Sequence, residues 1–157
     1  MLGVLIGLIA LSTVSCTLPQ VSAEDRLFLP LSVELLAVAV LPEQTFAETP
    51  VGGLSAVAYD AQTDQFYALS DDRGRLAPSR FYTLDMQTGL DAQGTPKIQS
   101  VDVRQVTTLK DSAGDEYPAD RLDPEGMVLS PRRSLLITSE GVASTQSPPA
   151  LNEYDLD

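Results

Sequence analysis

Five carboxylates, Asp71, Asp72, Asp123, Glu125 and Glu140, stand at the ends of short apolar runs, where their spacing suits them to hold a hard cation. In an antiparallel hairpin the start of one strand lies beside the end of its partner. Glu125 is therefore expected beside Glu140, and Ser55 beside Asp71, with Asp72 and Asp123 at the same end. Like charges packed this way either raise one another's pKa or recruit a cation. Oxygen donors in a chain with no His and one Cys favour calcium over a transition metal, with magnesium the second hard candidate. The same stretches also make good turns, since Asp caps a turn, Pro presets φ and Gly supplies a positive φ. Turn chemistry accounts for Asp72, Gly74, Pro124 and Gly126, but it does not ask for an acid at both Asp71 and Glu140.

The composition narrows the chemistry further. Without histidine there is no Ser-His-Asp triad and no His-based metal site. Ser55, Ser70 and Ser139 adjoin the acidic positions, and without a nearby base they are expected to close strand ends by hydrogen bonding rather than act as nucleophiles. A net charge of -12 opposes binding of nucleic acid or any other polyanion. A phosphate-bearing small molecule would need a bridging cation.

The acids are positioned by a sequence that repeats once, with a period of about seventy residues. Residues 33–41 align with residues 101–109 without a gap, and Pro50 falls on Pro118. Residues 55–59 then meet 125–129, residues 66–71 meet 135–140, and Tyr82 meets Tyr154. The first copy holds apolar, strand-like segments at 33–41, 55–59, 66–70 and 81–86, and no stretch after Glu24 combines a helical period with caps. The fold expected is all-β and β-propeller-like, because four antiparallel strands per repeat make a propeller blade. Rings usually close with roughly four to eight blades. This chain is expected to hold about two four-stranded blades of an incomplete propeller, with copies at 33–100 and 101–157. A two-sheet sandwich, or a dimer that supplies the missing neighbours, is the alternative. Tyr59, Phe66, Tyr67, Phe81 and Tyr82 read as core between blades, and residues 142–149 as a surface loop.

Residues 1–23 read as an export leader, apolar to Ser15 and short for a membrane span. Val21-Ser22-Ala23 offers a cleavage site before Glu24, and Thr13-Val14-Ser15-Cys16 is similar to a bacterial lipobox, making Cys16 a candidate for lipidation. Membrane association is expected only through that leader or lipid. Export would place residues 24–157 in an oxidising, calcium-rich compartment, in the periplasm or outside the cell.

Beyond these patterns the chain resembles the phytase-like domain, the esterase-like activity of phytase family, distantly related to β-propeller phytases. The resemblance rests on Gly52-Gly-Leu-Ser-Ala-Val-Ala-Tyr-Asp60, Phe66-Tyr-Ala-Leu-Ser-Asp-Asp-Arg73, Arg80-Phe-Tyr-Thr-Leu84, Leu122-Asp-Pro-Glu-Gly-Met127 and Ser139-Glu-Gly141, in this order. The exported start is similar to that of bacterial, particularly cyanobacterial, members. The resemblance implies a propeller with an acidic mouth for calcium, ligated by Asp71, Asp72, Asp123, Glu125 and Glu140. It also implies a phosphoester or ester hydrolase using metal-activated water, with Arg73 contacting an anionic group. A non-catalytic exported binding module with structural calcium, and an inactive fragment of a longer protein, are the other readings. Arg132-Arg133 stand where relatives tend to carry Asp-Gly, a change expected to affect only a solvent-facing turn.

Overall fold

The computed structural model describes residues 33–156, so the leader and Cys16 lie outside the described residues. A short hairpin, β1 (Gln44–Phe46) and β2 (Thr49–Val51), precedes a sheet of β3 (Leu54–Asp60), β4 (Gln65–Ser70), β5 (Arg80–Leu90) and β6 (Pro96–Thr108), antiparallel and in sequence order. A second antiparallel sheet holds β7 (Pro124–Leu129), β8 (Ser134–Ser139) and β9 (Ala150–Asp155). The fold is all-β, with two blade-like sheets. The expected loop at 142–149 contains a single 3-10 turn, Ala143–Thr145.

Two expectations change. Residues 33–42 carry no secondary structure, so the strand read at 33–41 is not formed. Its counterpart at 101–109 does form a strand, β6, but as the outer strand of the first sheet rather than the first strand of the second. Repeat and sheet are thus out of phase by one strand, and the second sheet has three strands among the described residues where four were expected.

Alternation along each strand sorts side chains to two faces. Tyr67, Leu69 and Phe81 from the first sheet meet Leu135 and Ile137 from the second, with Leu109 and Leu122 from the connection between them. Tyr67 and Phe81 pack edge to face with centroids 5.9 Å apart. The opposite face of the first sheet presents Ala68, Tyr82 and Leu84 to Phe46 and Val51 of the β1–β2 hairpin. Each large side chain so buried contributes roughly 1.5–3 kcal/mol. Tyr59 departs from its expected core role: it lies half-exposed on that outer face, its ring 4.6 Å from Phe66 and its hydroxyl donating to Asp64.

Strand register corrects one repeat equivalence. Ala68 pairs with Tyr82 and its counterpart Ile137 pairs with Asn152, whereas Phe66 pairs with Leu84 and Leu135 with Tyr154. Tyr154 therefore corresponds to Leu84, not to Tyr82, because the third-strand connections differ in length.

Arg133 is more than a substitution in a solvent-facing turn. It holds a left-handed φ of 65°, a conformation that favours glycine. Its guanidinium reaches the neighbouring sheet's hairpin, 2.9 Å from Asp60 and 3.0 Å from the Gln62 amide oxygen. The Asp60 carboxyl is held below its ordinary value chiefly by the Gln62 backbone N–H; burial opposes this, and the Thr63 hydroxyl and Arg133 add to it. A depressed carboxyl contributes stability that is present above its unfolded pKa, near 4, and lost as pH falls through the folded value. Asp60→Asn should therefore lower stability at neutral pH and flatten its fall below about pH 4, as read from urea unfolding at a series of pH values.

Candidate metal centre

The inner strands β3 and β7 of the two sheets run side by side and begin at the same end of the molecule. Each begins with a bulge, in which one extra residue bends the strand and re-aims its side chain. Leu54 pairs with Ser70 and Ala56 with Leu69, which leaves Ser55 unpaired. Pro124 pairs with Ser139 and Gly126 with Thr138, which leaves Glu125 in the equivalent place. The bulge is closed alike in both copies: Asp71 N–H donates to the Gly53 carbonyl at 2.7 Å, and Glu140 N–H to the Asp123 carbonyl at 3.1 Å.

The serines beside the acids close strand ends, as expected. Ser70 Oγ donates to the Gly52 carbonyl at 3.0 Å, Ser139 Oγ accepts from Asp123 N–H at 3.1 Å, and Ser55 Oγ donates across the sheets to the Pro124 carbonyl at 3.4 Å. Gly53 and Gly141 have φ of 56° and 77°. A Cβ at Gly141 would approach the Ser147 carbonyl oxygen to 2.6 Å, so the turn after Glu140 accepts only glycine without rearrangement.

This scaffold brings carboxylate oxygens of Asp123, Glu125 and Glu140 to within 4.8 Å of one another. Asp123 is buried, Glu125 partly buried and Glu140 exposed. Burial raises the Glu125 carboxyl above its ordinary value; Asp123, Glu140 and Asp71 raise it further, against the opposing pull of Arg73. Burial is the larger cause and the neighbouring acids the lesser one, and an oxygen-only donor set of this kind fits a hard cation.

The remaining candidates take different positions. Asp71, exposed, lines the same open cavity of about 580 Å³ as Asp123 and Glu125. Arg73, 39% exposed, forms a 2.7 Å ion pair with Asp123 and shares that cavity wall. Asp72 lines that cavity too, but its carboxylate is nearly buried and already occupied. Its carboxylate pairs with Arg80 at 2.8 Å and accepts the backbone N–H groups of Arg75, Leu76 and Ala77. Burial pushes its pKa up, but Arg80 and those N–H groups outweigh burial and hold it below the ordinary value. Asp72 is thus the organiser of the 71–79 loop.

Arg80 entered the sequence analysis only as the first residue of the Arg80–Leu84 motif, with no role assigned. Nearly wholly buried, it donates to Asp72, to the carbonyls of Pro50, Ala77 and Pro78, and to the Tyr82 hydroxyl. The loop it anchors is tied onward to the second sheet's approach: Asp120 N–H donates to the Arg73 carbonyl at 2.7 Å, and Arg75 pairs with the Asp120 carboxylate at 2.7 Å.

Compared with known families, residues 49–157 match the family model of the phytase-like group, described as esterase-like activity of phytase. No curated protein and no solved structure matches the chain.

Removing one partner of a buried ion pair strands the other, at a cost of about 3–5 kcal/mol. Arg80→Met should cost that much in chemical denaturation, whereas Arg75→Met, at the exposed pair with Asp120, should cost no more than about 1 kcal/mol.

Proposed function

The chain belongs to the phytase-like family described as esterase-like activity of phytase, and from that premise we propose that it is an exported, calcium-dependent hydrolase of small phosphoesters. The observation that carries this reading is the convergence of Asp123, Glu125 and Glu140 at the mouth between the two inner strands. These three would hold the ion, with Asp71 as a further acid on the cavity wall. When bound, calcium supplies charge neutralisation and Lewis-acid polarisation of a phosphoryl group and of water. Arg73 is the chain's own contact for the anionic substrate: its half-exposed guanidinium already bonds a carboxylate in this cavity, and a phosphate offers the same two-oxygen acceptor. A chain of net charge -12 draws a divalent cation toward such a mouth and repels an uncompensated polyanion. Export through residues 1–23, with cleavage after Ala23 or lipidation at Cys16, supplies a compartment in which calcium is plentiful.

A second reading, a non-catalytic exported module with structural calcium, draws on the fate of Asp72, a carboxylate given over to architecture. One experiment separates the two. Thermal unfolding of the full chain is followed with calcium, magnesium and chelator, beside phosphate release from p-nitrophenyl phosphate. At about a hundredfold excess over its dissociation constant, a ligand that binds only the folded state adds about 2.7 kcal/mol, a rise in Tm of roughly 5–10 °C at this size. Calcium should give that rise and support phosphate release, and Glu125→Gln should lose both while melting higher than the parent chain in chelator. Stabilisation without phosphate release would assign calcium a structural role. No calcium-dependent rise would overturn both readings.

A further inference from the structure

Arg73, Arg75 and Arg80 all line the cavity that holds Asp123 and Glu125, and their partners set them apart. Arg80 is buried and shared among Asp72 and three backbone carbonyls. Arg75 is given over to Asp120, which is not among the converging acids: its Nε and one terminal nitrogen each lie 2.7 Å from the same carboxylate oxygen. Arg73 alone of the three pairs with a carboxylate of the converging set, at 2.7 Å from Asp123. Among the described residues no other basic side chain pairs with Asp123.

The two members of that pair are unequally held. The Asp123 side chain is 3% exposed, and its backbone is closed on both sides. Its N–H donates to Ser139 Oγ at 3.1 Å, and its carbonyl accepts Glu140 N–H at 3.1 Å. Arg73 has a fixed backbone and an open side. Its carbonyl accepts Asp120 N–H at 2.7 Å, and at the following Gly74, with φ of 77°, a Cβ would stand 3.4 Å from Ala119 Cα. Its guanidinium borders the open cavity. The carboxylate is therefore the fixed member and the guanidinium the movable one, and side-chain rotation alone parts them, with no loop displaced.

We infer that Arg73 is a resident counter-cation that competes with a divalent ion for Asp123, and that its displacement presents the guanidinium to an anionic ligand. The inference rests on the calcium reading proposed above and adds the regulation of that site. A guanidinium and a divalent cation on one carboxylate repel each other across a few ångströms, so occupancy by one disfavours the other. While it bonds Asp123, Arg73 directs its fork at a carboxylate and withholds it from a phosphoryl group, which asks for the same geometry. Cation and anion are thus positively coupled through one side chain. A pair formed roughly nine-tenths of the time leaves about one molecule in ten ready for the ion, so removing the competitor tightens ion binding about tenfold.

The test is isothermal titration calorimetry on the full chain, with calcium and with phenylphosphonate, an anion whose carbon–phosphorus bond resists hydrolysis. Arg73→Met should bind calcium about tenfold more tightly than the parent. In saturating calcium the same variant should bind phenylphosphonate about tenfold more weakly, having lost the charged donor. A merely structural residue would move both ligands in the same direction. The parent should bind phenylphosphonate only when calcium is present. Arg75→Met removes the same charge from the same cavity without touching the converging acids, and should change calcium affinity by less than about threefold at roughly 0.15 M salt. Arg73→Met should melt below the parent in chelator, where Asp123 is left unpaired, and level with it in saturating calcium. Unchanged or weaker calcium binding by Arg73→Met, an equal gain from Arg75→Met, phenylphosphonate binding indifferent to calcium, or a melting offset that persists in calcium would each overturn the inference and leave the calcium site standing. Absence of calcium binding in both the parent and Arg73→Met would overturn site and inference together.

Discussion

The arrangement of the mouth depends on one buried ion pair, that of Arg80 with Asp72. Arg80 opens β5, and its guanidinium has no water to turn to, so it collects the Asp72 carboxylate, three backbone carbonyls and the Tyr82 hydroxyl. An ion pair of this kind is weak as net stabilisation, because two charges had to be desolvated to make it. Its value lies in what it holds in place. Through Asp72 it fixes the 71–79 loop, through Pro50 it fixes the end of the hairpin that covers Tyr82, and through the loop it sets Arg73 where Asp123 can be reached.

The second constraint is electrostatic. The mouth gathers more acid than base, and Arg73 answers only part of it: it pairs with Asp123, while Glu125 keeps a raised pKa. A cation and Arg73 address the same buried carboxylate. The guanidinium offsets part of the charge at Asp123; under the proposed function, a cation taking Asp123 would free it for another anion. One residue would thereby couple the two kinds of binding proposed for the cavity.

Much of this was legible in the sequence, and the remainder was hidden for identifiable reasons. Antiparallel pairing alone placed Glu125 by Glu140, and short apolar, strand-like segments marked β3, β4 and the start of β5. Asp71 and Asp72, adjacent and identical in type, both line the cavity but differ in role because Asp72 pairs with Arg80 and accepts three backbone N–H groups, and residue type does not report direction. The apolar run of 33–41 was real, but a strand exists only where an edge receives it, and no edge is written in a local pattern. Tyr82 and Tyr154 matched by identity although their strands enter at different registers. Arg133 read as a neutral turn residue because its partner, Asp60, lies in the other copy's hairpin.

The paired bulges carry a consequence for how such a centre comes and goes. Because Ser55 and Glu125 are the unpaired residues of their strands, exchanging a hydroxyl for a carboxylate there disturbs no ladder partner. The neighbouring position is less forgiving. Gly53 stands where the second copy has Asp123, and a Cβ on Gly53 would fall 2.0 Å from an Asp71 oxygen. The duplicated frame is therefore symmetric in backbone and asymmetric in capacity: the second copy can carry a full acidic set, and the first cannot match it without surrendering Asp71's position. Duplication here supplies a frame for one polar centre, and the first copy serves as its wall.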